Sequence, residues 1–235
     1  MKLLVSIRDR QEAGDALAGG ADIIDAKDPA SGALGAVSVE TLRHIRAAAP
    51  AAHQLSAALG DADTEAATER RASAYAKAGA RLVKIGFAGI ADTKRVASLL
   101  AAAVLGARSG SEGRCGVVAV AYADAHRVAS LPPGALASIA ADAGAVGVLI
   151  DTADKDGPGV RDLLTQQALR EWITNAHNAG LLAAVAGKLR ADDLTFVREA
   201  GADIAGVRGA ACEGGRTGHV TADLVRALQV RLQTG

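Results

Sequence analysis

Lysine and aspartate recur where short apolar segments of this chain come to an end. Asp25 and Lys27 close one such segment, and Lys84 lies inside a second. Asp151 ends a third, and Lys155 follows it in the next loop. If these segments are strands that meet at one opening, mutual repulsion and partial loss of water lower lysine pKa values toward neutrality. A neutral lysine adds to an aldehyde or ketone, and the protonated imine is an electron sink for aldol or isomerisation steps. We therefore expect Schiff-base chemistry at one of these lysines, with the other groups as proton carriers.

Each of these groups also has a structural explanation. Asp25 and Lys27 are two residues apart and share one face of a strand, where an ion pair can close the top of a barrel. For Lys84 the structural explanation is weaker. This lysine interrupts an otherwise apolar strand; an edge strand could leave it in solvent, but a closed barrel has no edge strands. Lys155 is explained equally well as a solvated loop lysine. The residues alone leave these alternatives open.

The elements that position these groups alternate regularly along the chain. Short β-rich apolar runs predict strands over residues 3–6, 23–27, 54–57, 82–86, 116–121, 146–151, 182–186 and 204–207. Longer Ala-rich runs predict helices near residues 9–18, 39–48, 65–78, 93–107, 133–143, 167–179, 192–200 and 221–232. Several helix candidates end in a Gly-Ala phrase, in which the glycine closes the helix in the left-handed conformation.

This alternation predicts parallel strands joined by crossover helices. The chain has 235 residues, close to the usual size of one (β/α)8 TIM barrel, and it contains no internal linker. We expect a single catalytic barrel domain over residues 1–235, with a doubly wound open sheet as the alternative. In such a barrel the active site lies at the carboxyl ends of the strands.

The last two predicted strands are followed by segments that suit phosphate. Gly187 and Gly209 permit close backbone approach, Lys188 adds a positive charge, and Arg208 can grip phosphate through two N–H groups. The N-terminus of a short helix often lies nearby in barrels of this kind. Residues 214–219 favour a flexible loop over a phosphate cradle.

Composition excludes several other classes of function. The 26 basic and 26 acidic residues give a net charge of zero, so no overall charge attracts nucleic acid or an anionic membrane.

No Walker A loop, GxGxxG motif or metal-spaced cluster is present, so we expect neither a metal nor another cofactor. The N-terminus lacks the apolar stretch of a signal peptide, and no run approaches the ~20 residues that span a bilayer, which predicts a cytoplasmic protein.

The remaining residues carry weaker expectations. Cys115 and Cys212 are expected to be buried, reduced thiols. His126 follows the fifth predicted strand and could line the site without being a catalyst. The Ala-rich outer helices suit a homo-oligomer and a monomer equally well.

Taken together, these motifs resemble the (5-formylfuran-3-yl)methyl phosphate synthase family, also called 4-(hydroxymethyl)-2-furancarboxaldehyde phosphate synthase. The resemblance runs in order from residue 1 to the final helix. The segments that carry it are residues 20–29 (GADIIDAKDP), 32–36, 83–86, 121–125, 149–157 (LIDTADKDG) and 206–212 (GVRGAAC).

The resemblance implies a metal-independent lyase of methanofuran-type cofactor biosynthesis. Two molecules of glyceraldehyde 3-phosphate become one furan aldehyde phosphate, with loss of one phosphate and two waters. The family's imine-forming lysine maps onto Lys27 and its proton-accepting lysine onto Lys84, while Asp25, Asp151 and Lys155 match further site positions. Two alternatives remain: a class I aldolase or isomerase acting on another small sugar phosphate, and a barrel that binds a phosphorylated ligand without catalysis.

Overall fold

Eight parallel strands close into one barrel in a computed structural model, which describes residues 1–234. The strands are β1 (Lys2–Ile7), β2 (Ile23–Ala26), β3 (Gln54–Asp61), β4 (Leu82–Gly86), β5 (Gly116–Tyr122), β6 (Gly147–Asp151), β7 (Leu182–Val185) and β8 (Ile204–Val207). Each strand pairs with the next, and β8 closes the barrel against β1, where Gly206 lies opposite Leu4. The (β/α)8 prediction is therefore confirmed, and an open sheet is excluded.

Helices cover the outside of the barrel. They are α1 (Arg10–Ala18), α2 (Val39–Ala48), α3 (Glu65–Lys77), α4 (Thr93–Ser111), α5 (Leu136–Asp142), α6 (Val160–Leu163), α7 (Gln166–Asn178), α8 (Asp193–Glu199) and α9 (Ala222–Thr234). Polar side chains begin several of them: Asp9, Ser38 and Thr64 each accept a hydrogen bond from the backbone N–H three residues on. Outward-facing strand residues such as Ile24 and Val83 are fully buried beneath the helices.

Most element boundaries lie within a few residues of the predictions. The predicted glycine caps are confirmed, since Gly20, Gly79, Gly144 and Gly201 all have positive φ. The helix expected over 133–143 begins only at Leu136, after a single 3-10 turn that contains Pro133. The short helix α6 was not predicted.

Two strand boundaries differ in a way that matters for the site. β2 ends at Ala26, so Lys27 is the first residue beyond the strand rather than its last. β3 continues to Asp61, four residues past the predicted end, and its register against β4 shifts between Ala58 and Asp61. Gly60 lies in this bulge with φ 84°, a conformation that the apolar pattern of the strand does not signal.

The inside of the barrel is apolar at one end and polar at the other. The inward-facing apolar layer consists of Leu4, Ile23, Leu82, Val118, Leu149 and Ile204. Two residues further along their strands, toward the carboxyl ends, Ser6, Asp25 and Lys84 face inward in place of apolar side chains. The interior of the barrel is therefore polar toward the carboxyl ends of the strands.

The segment after β8 is more ordered than its sequence suggests. Residues expected to form a flexible loop include the strand pair β9 (Cys212–Glu213) and β10 (His219–Val220), which pair as a small antiparallel hairpin. The interpretation of residues 214–219 as a loop is correct only for the turn of this hairpin. None of the helices within residues 1–234 is long and apolar enough to cross a lipid bilayer.

Candidate active site

A cavity of about 490 Å³ opens at the carboxyl ends of the strands. Eight of the nine residues singled out from the sequence line it: Lys27, Lys84, Asp151, Lys155, Gly187, Lys188, Arg208 and Gly209. The ninth, Asp25, lies directly behind the wall and contacts Lys84. The structure thus brings the lysine cluster and the expected phosphate segments into one cavity.

Asp25 and Lys84 form a buried ion pair at the floor of this cavity. Lys84 Nζ lies 2.5 Å from Asp25 Oδ2, and both side chains are almost completely buried. Two further hydrogen bonds fix the carboxylate: Ser6 Oγ donates to Oδ2 at 2.9 Å and Ser56 Oγ to Oδ1 at 2.5 Å. Because three strands supply these donors, the carboxylate is rigid and its charge is balanced by one ammonium group.

Asp151 and Lys155 form a second pair on the opposite side. Lys155 Nζ donates to Asp151 Oδ1 at 2.6 Å and lies 3.4 Å from Thr152 Oγ1. Burial by itself raises the pKa of Asp151, but Lys155, Lys27 and the backbone N–H of Thr152 outweigh it and hold that pKa below its usual value. Asp151 is therefore an anion at neutral pH.

Lys27 lies between the two pairs and is the least well balanced of the three lysines. Its Nζ is 3.8 Å from Asp151 Oδ2, beyond hydrogen-bonding distance, and its side chain is only 11% exposed. Burial lowers the pKa of Lys27 to about 7; Asp151 opposes this shift, and the charges of Lys155 and Lys84 add to it. A large fraction of this amine is consequently neutral at physiological pH.

The loop that carries Lys155 is held by residues that sequence reasoning did not select. The buried carboxylate of Asp124 accepts hydrogen bonds from the backbone N–H groups of Ala153 and Asp154, at 2.7 and 2.8 Å. Asp154 accepts in turn from Gly157 N–H at 3.0 Å. These bonds fold the loop back over the mouth of the barrel, so Lys155 is not a freely solvated loop lysine.

The expected phosphate segments face the cavity from β7 and β8. Gly187 has φ 96°, and a Cβ atom there would lie 3.2 Å from the backbone N of Thr152, which explains the need for glycine. The next residue, Lys188, has φ 60°, an uncommon conformation for a residue with a side chain and one that often marks functional segments. Its ammonium group donates to Gly157 O, which connects the β7 segment to the loop of Lys155.

Arg208 differs from its expected role of gripping phosphate through its side chain. Its guanidinium donates to both carboxylate oxygens of Glu12, to Ser6 O at 3.0 Å, to Arg216 O at 3.0 Å and to Gly218 O at 2.9 Å. An arginine has five N–H groups, so all of them are used within the protein. The geometry therefore gives this side chain a bracing role, and it corrects the expectation of a free phosphate grip.

Glu12 is a charged residue beside the cavity that no sequence pattern indicated. Charged residues on the outer helices of a barrel are normally solvated, but Glu12 on α1 is fully buried beneath the arginine. We expect Glu12→Ala to lower the free energy of unfolding by about 3 kcal/mol, because it leaves a buried guanidinium without its counter-ion. Asp192→Ala, which removes an exposed ion pair with Arg231, should change it by less than about 0.5 kcal/mol. Urea denaturation of both variants measures the difference; equal small losses would contradict the bracing role.

The structure also locates the histidine and the two cysteines that the sequence analysis considered. His126 is exposed in a 3-10 turn after β5 and is not among the residues that line the cavity. Cys115 and Cys212 are buried free thiols, as predicted, and burial raises the pKa of Cys115 to about 12. Among residues 1–234, no group of three or more His, Cys, Asp or Glu side chains could hold a metal ion.

Comparison with known proteins places this barrel among close full-length relatives. The family model described as 4-HFC-P synthase matches residues 3–229. A (5-formylfuran-3-yl)methyl phosphate synthase from Methanopyrus kandleri is 40% identical over 231 residues, which cover 97% of each chain. Proteins of the same name from Methanocaldococcus jannaschii and Methanothermobacter thermautotrophicus are 38% identical (97% of this chain, 98% of the relative) and 37% identical (100% of both).

Solved structures resemble the chain at a more distant level. A 3-hexulose-6-phosphate synthase is 23% identical with a TM-score of 0.66, covering 97% of this chain and 99% of that one. KGPDC from Streptococcus mutans is 16% identical with a TM-score of 0.67, covering 99% and 97%. These identities support the barrel fold alone. The family model, however, spans nearly the whole chain and the full-length relatives reach 40% identity, so the chain belongs to the 4-HFC-P synthase family.

Proposed function

We propose that this chain condenses two molecules of glyceraldehyde 3-phosphate into (5-formylfuran-3-yl)methyl phosphate through an imine on Lys27. One phosphate and two waters are released, which balances the six carbons and two phosphates of the substrates. The observation that carries the proposal is the Lys27 amine, which is buried at the cavity wall with its pKa lowered to about 7 and lies 3.8 Å from the nearest carboxylate. The names of the full-length relatives support this product. The resemblance places it in methanofuran-type cofactor biosynthesis.

The proposed reaction begins with attack of the neutral Lys27 amine on the aldehyde carbon of one triose phosphate. Loss of water gives a protonated imine, and loss of the C2 proton gives an enamine. The enamine expels the phosphate at C3, and C3 of the resulting three-carbon enol attacks the C2 carbonyl of the second triose phosphate in its ketone form, which makes the carbon–carbon bond of the furan skeleton. The terminal hydroxyl of the second triose then closes the ring on the C2 carbonyl of the first, two waters are lost, and hydrolysis of the imine releases the furan aldehyde from Lys27. The imine itself is the electron sink, so these steps call on no other cofactor.

The two ion pairs divide the proton transfers between them. Lys84, the ammonium partner of Asp25, is placed at the cavity floor, where it can give a proton to the alkoxide formed by carbon–carbon bond formation. Lys155 and Asp151 flank Lys27 on the other side and can exchange protons with the carbinolamine. Gly187, Lys188 and Gly209 are proposed to receive a substrate phosphate in the same cavity.

The test of this proposal is a spectrum. Purified protein is incubated with glyceraldehyde 3-phosphate alone, and the near-ultraviolet absorbance is followed while released phosphate is assayed. A furan aldehyde absorbs in this region, whereas a simple aldol product does not. Consumption of substrate without absorbance would favour an ordinary aldolase or isomerase. No consumption at all would favour a barrel that only binds its ligand.

The lowered pKa of Lys27 predicts how imine formation depends on pH. The amine reacts only when neutral, so borohydride trapping should be weak at pH 5, rise with pH and reach half its maximum near pH 7. Lys155→Met removes a charge that lowers the pKa of Lys27 and frees Asp151 to pair with it, so the midpoint should move to higher pH. Replacement of the exposed Lys94 by methionine should leave the midpoint unchanged. A parent midpoint near 10, typical of a solvated lysine, would contradict this account.

A further inference from the structure

We infer that Arg216, in the turn of the hairpin after β8, is the side chain that binds a substrate phosphate in this cavity. The inference rests on the proposed function for the presence of a phosphorylated triose, and it names a residue that the sequence analysis left in a flexible loop. Arg208 was expected to bind phosphate through its side chain, but all five of its N–H groups are bonded within the protein, so we assign this binding to Arg216 instead.

The hairpin is anchored from below. Arg208, whose guanidinium is braced by the buried Glu12, donates from Nε to Arg216 O and from Nη2 to Gly218 O. Both acceptors lie in the turn between β9 and β10, so this buried ion pair fixes the backbone of the turn. Arg216 is therefore held by the fold rather than projecting from a mobile loop.

The glycines of the turn bring Arg216 back over the phosphate segment. Gly214 and Gly215 have φ 77° and 78°, and a Cβ atom on Gly218 would lie 1.7 Å from Glu213 O. The resulting tight turn sets the backbone N of Arg216 3.6 Å from the position of a Cβ atom on Gly209. The arginine thus begins at the edge of the segment proposed to receive phosphate.

The guanidinium of Arg216 reaches from this edge toward the loop that follows β2 and Lys27. It lines the cavity, and its Nη2 donates to Gly32 O, in the loop after β2, at 2.7 Å. Within residues 1–234 this is its one hydrogen bond, so four of its five N–H groups, including those on Nε and Nη1, remain for a ligand. Arg190 also lines the cavity, but its exposed side chain has no comparable contact that fixes its direction.

Charge balance gives the ligand class. The ion pairs Lys84–Asp25 and Lys155–Asp151 are each neutral, and a neutral Lys27 adds no charge, so the lysine cluster offers little to a phosphate dianion. A planar guanidinium whose Nε–H and Nη1–H groups are free can bind two oxygens of a phosphate monoester at once. Arg216 is accordingly a binding residue for the phosphate of a triose phosphate, between the segment of Gly209 and the rim that carries Lys27.

The test compares Arg216→Ala and Arg216→Lys with Arg114→Ala, which removes an exposed arginine paired with Glu112. Two readouts are used: calorimetric binding of inorganic phosphate, and the concentration dependence of borohydride trapping with glyceraldehyde 3-phosphate and with unphosphorylated glyceraldehyde. In Arg216→Ala the half-saturating glyceraldehyde 3-phosphate concentration should rise on the order of 10- to 100-fold, with similar weakening for phosphate. Arg216→Lys should recover part of this loss, and Arg114→Ala should match the parent.

The unphosphorylated substrate separates phosphate binding from general damage. Trapping of glyceraldehyde should be the same in Arg216→Ala as in the parent, because it lacks the group that the arginine binds. Unchanged affinity for glyceraldehyde 3-phosphate, or an equal loss for both substrates, would overturn the assignment. If the parent traps neither substrate, the proposed imine fails, and the phosphate calorimetry still decides whether Arg216 binds the anion.

Discussion

Lys27→Ala and Lys27→Arg are expected to lose the borohydride-trapped adduct and to reduce turnover by at least about 10⁴-fold. Alanine removes the nucleophile. Arginine keeps a positive charge beside Asp151 but does not deprotonate in proteins, so it cannot form an imine with a carbonyl. The paired variants therefore distinguish a covalent role from an electrostatic one. Intact-mass measurement after reduction, followed by peptide mapping of the adduct, gives the result.

The matched control for this experiment is Lys94→Ala, which removes an exposed lysine on α4 and should trap like the parent. Lys27→Ala should keep the parent fold, since the amine forms no hydrogen bond with a carboxylate and its removal relieves a desolvated charge. Lys27→Arg keeps a buried charge beside Asp151, so its thermal unfolding is measured alongside to establish that it folds. Full turnover in Lys27→Arg would refute the imine mechanism. A parent adduct mapped to Lys84 or Lys155 would move the covalent role to that lysine.

The charges of the site explain why the pKa of Lys27 is lowered although carboxylates lie close by. Asp25 is committed to Lys84 at 2.5 Å, and Asp151 to Lys155 at 2.6 Å. Two carboxylates thus balance two ammonium groups, and the third lysine has its nearest carboxylate at 3.8 Å. Because a buried charge without a close partner is costly, the cluster relieves that cost by releasing the proton of Lys27.

The location of this cluster could be predicted from the sequence because barrel geometry is regular. Strands alternate in and out, so Asp25 and Lys84 had to face inward once β2 and β4 were recognised. The carboxyl ends of all eight strands meet at one face, so residues 25, 84 and 151 had to converge. Local patterns were sufficient here, because the closed sheet supplies the long-range contacts.

The ion pair beneath the segment that follows β8 could not be predicted in this way. Glu12 and Arg208 are 196 residues apart, and nothing in either local pattern shows that a helix residue lies buried under the eighth strand. The hairpin after β8 is fixed by backbone acceptors at residues 216 and 218, which no side-chain pattern encodes. Arg208 lines the cavity as expected, but its guanidinium contacts Glu12 and backbone carbonyls, and no local pattern indicated that Arg216 would line the same cavity.

Lys84→Ala is expected to lower turnover by about 10²- to 10⁴-fold, the usual contribution of a positioned acid or base. Borohydride trapping on Lys27 should persist, because imine formation needs the neutral amine of Lys27 and not the ammonium of Lys84. The trapping midpoint should shift to higher pH, since the charge of Lys84 contributes to lowering the pKa of Lys27. Loss of turnover with retained trapping is the signature that separates a proton carrier from the nucleophile.

The single variant leaves Asp25 as a buried carboxylate without its counter-ion, which by itself costs about 3 kcal/mol or more of stability. The double variant Asp25→Asn, Lys84→Met removes both charges and keeps similar side-chain volumes, so it should unfold closer to the parent while remaining as inactive as the single variant. Steady-state furan formation and thermal unfolding, measured on both variants, show whether Lys84 transfers protons or only stabilises the fold by pairing with Asp25. If the double variant turned over like the parent, Lys84 would be a structural partner of Asp25, and proton transfer would have to come from Lys155 and Asp151 on the other side of Lys27.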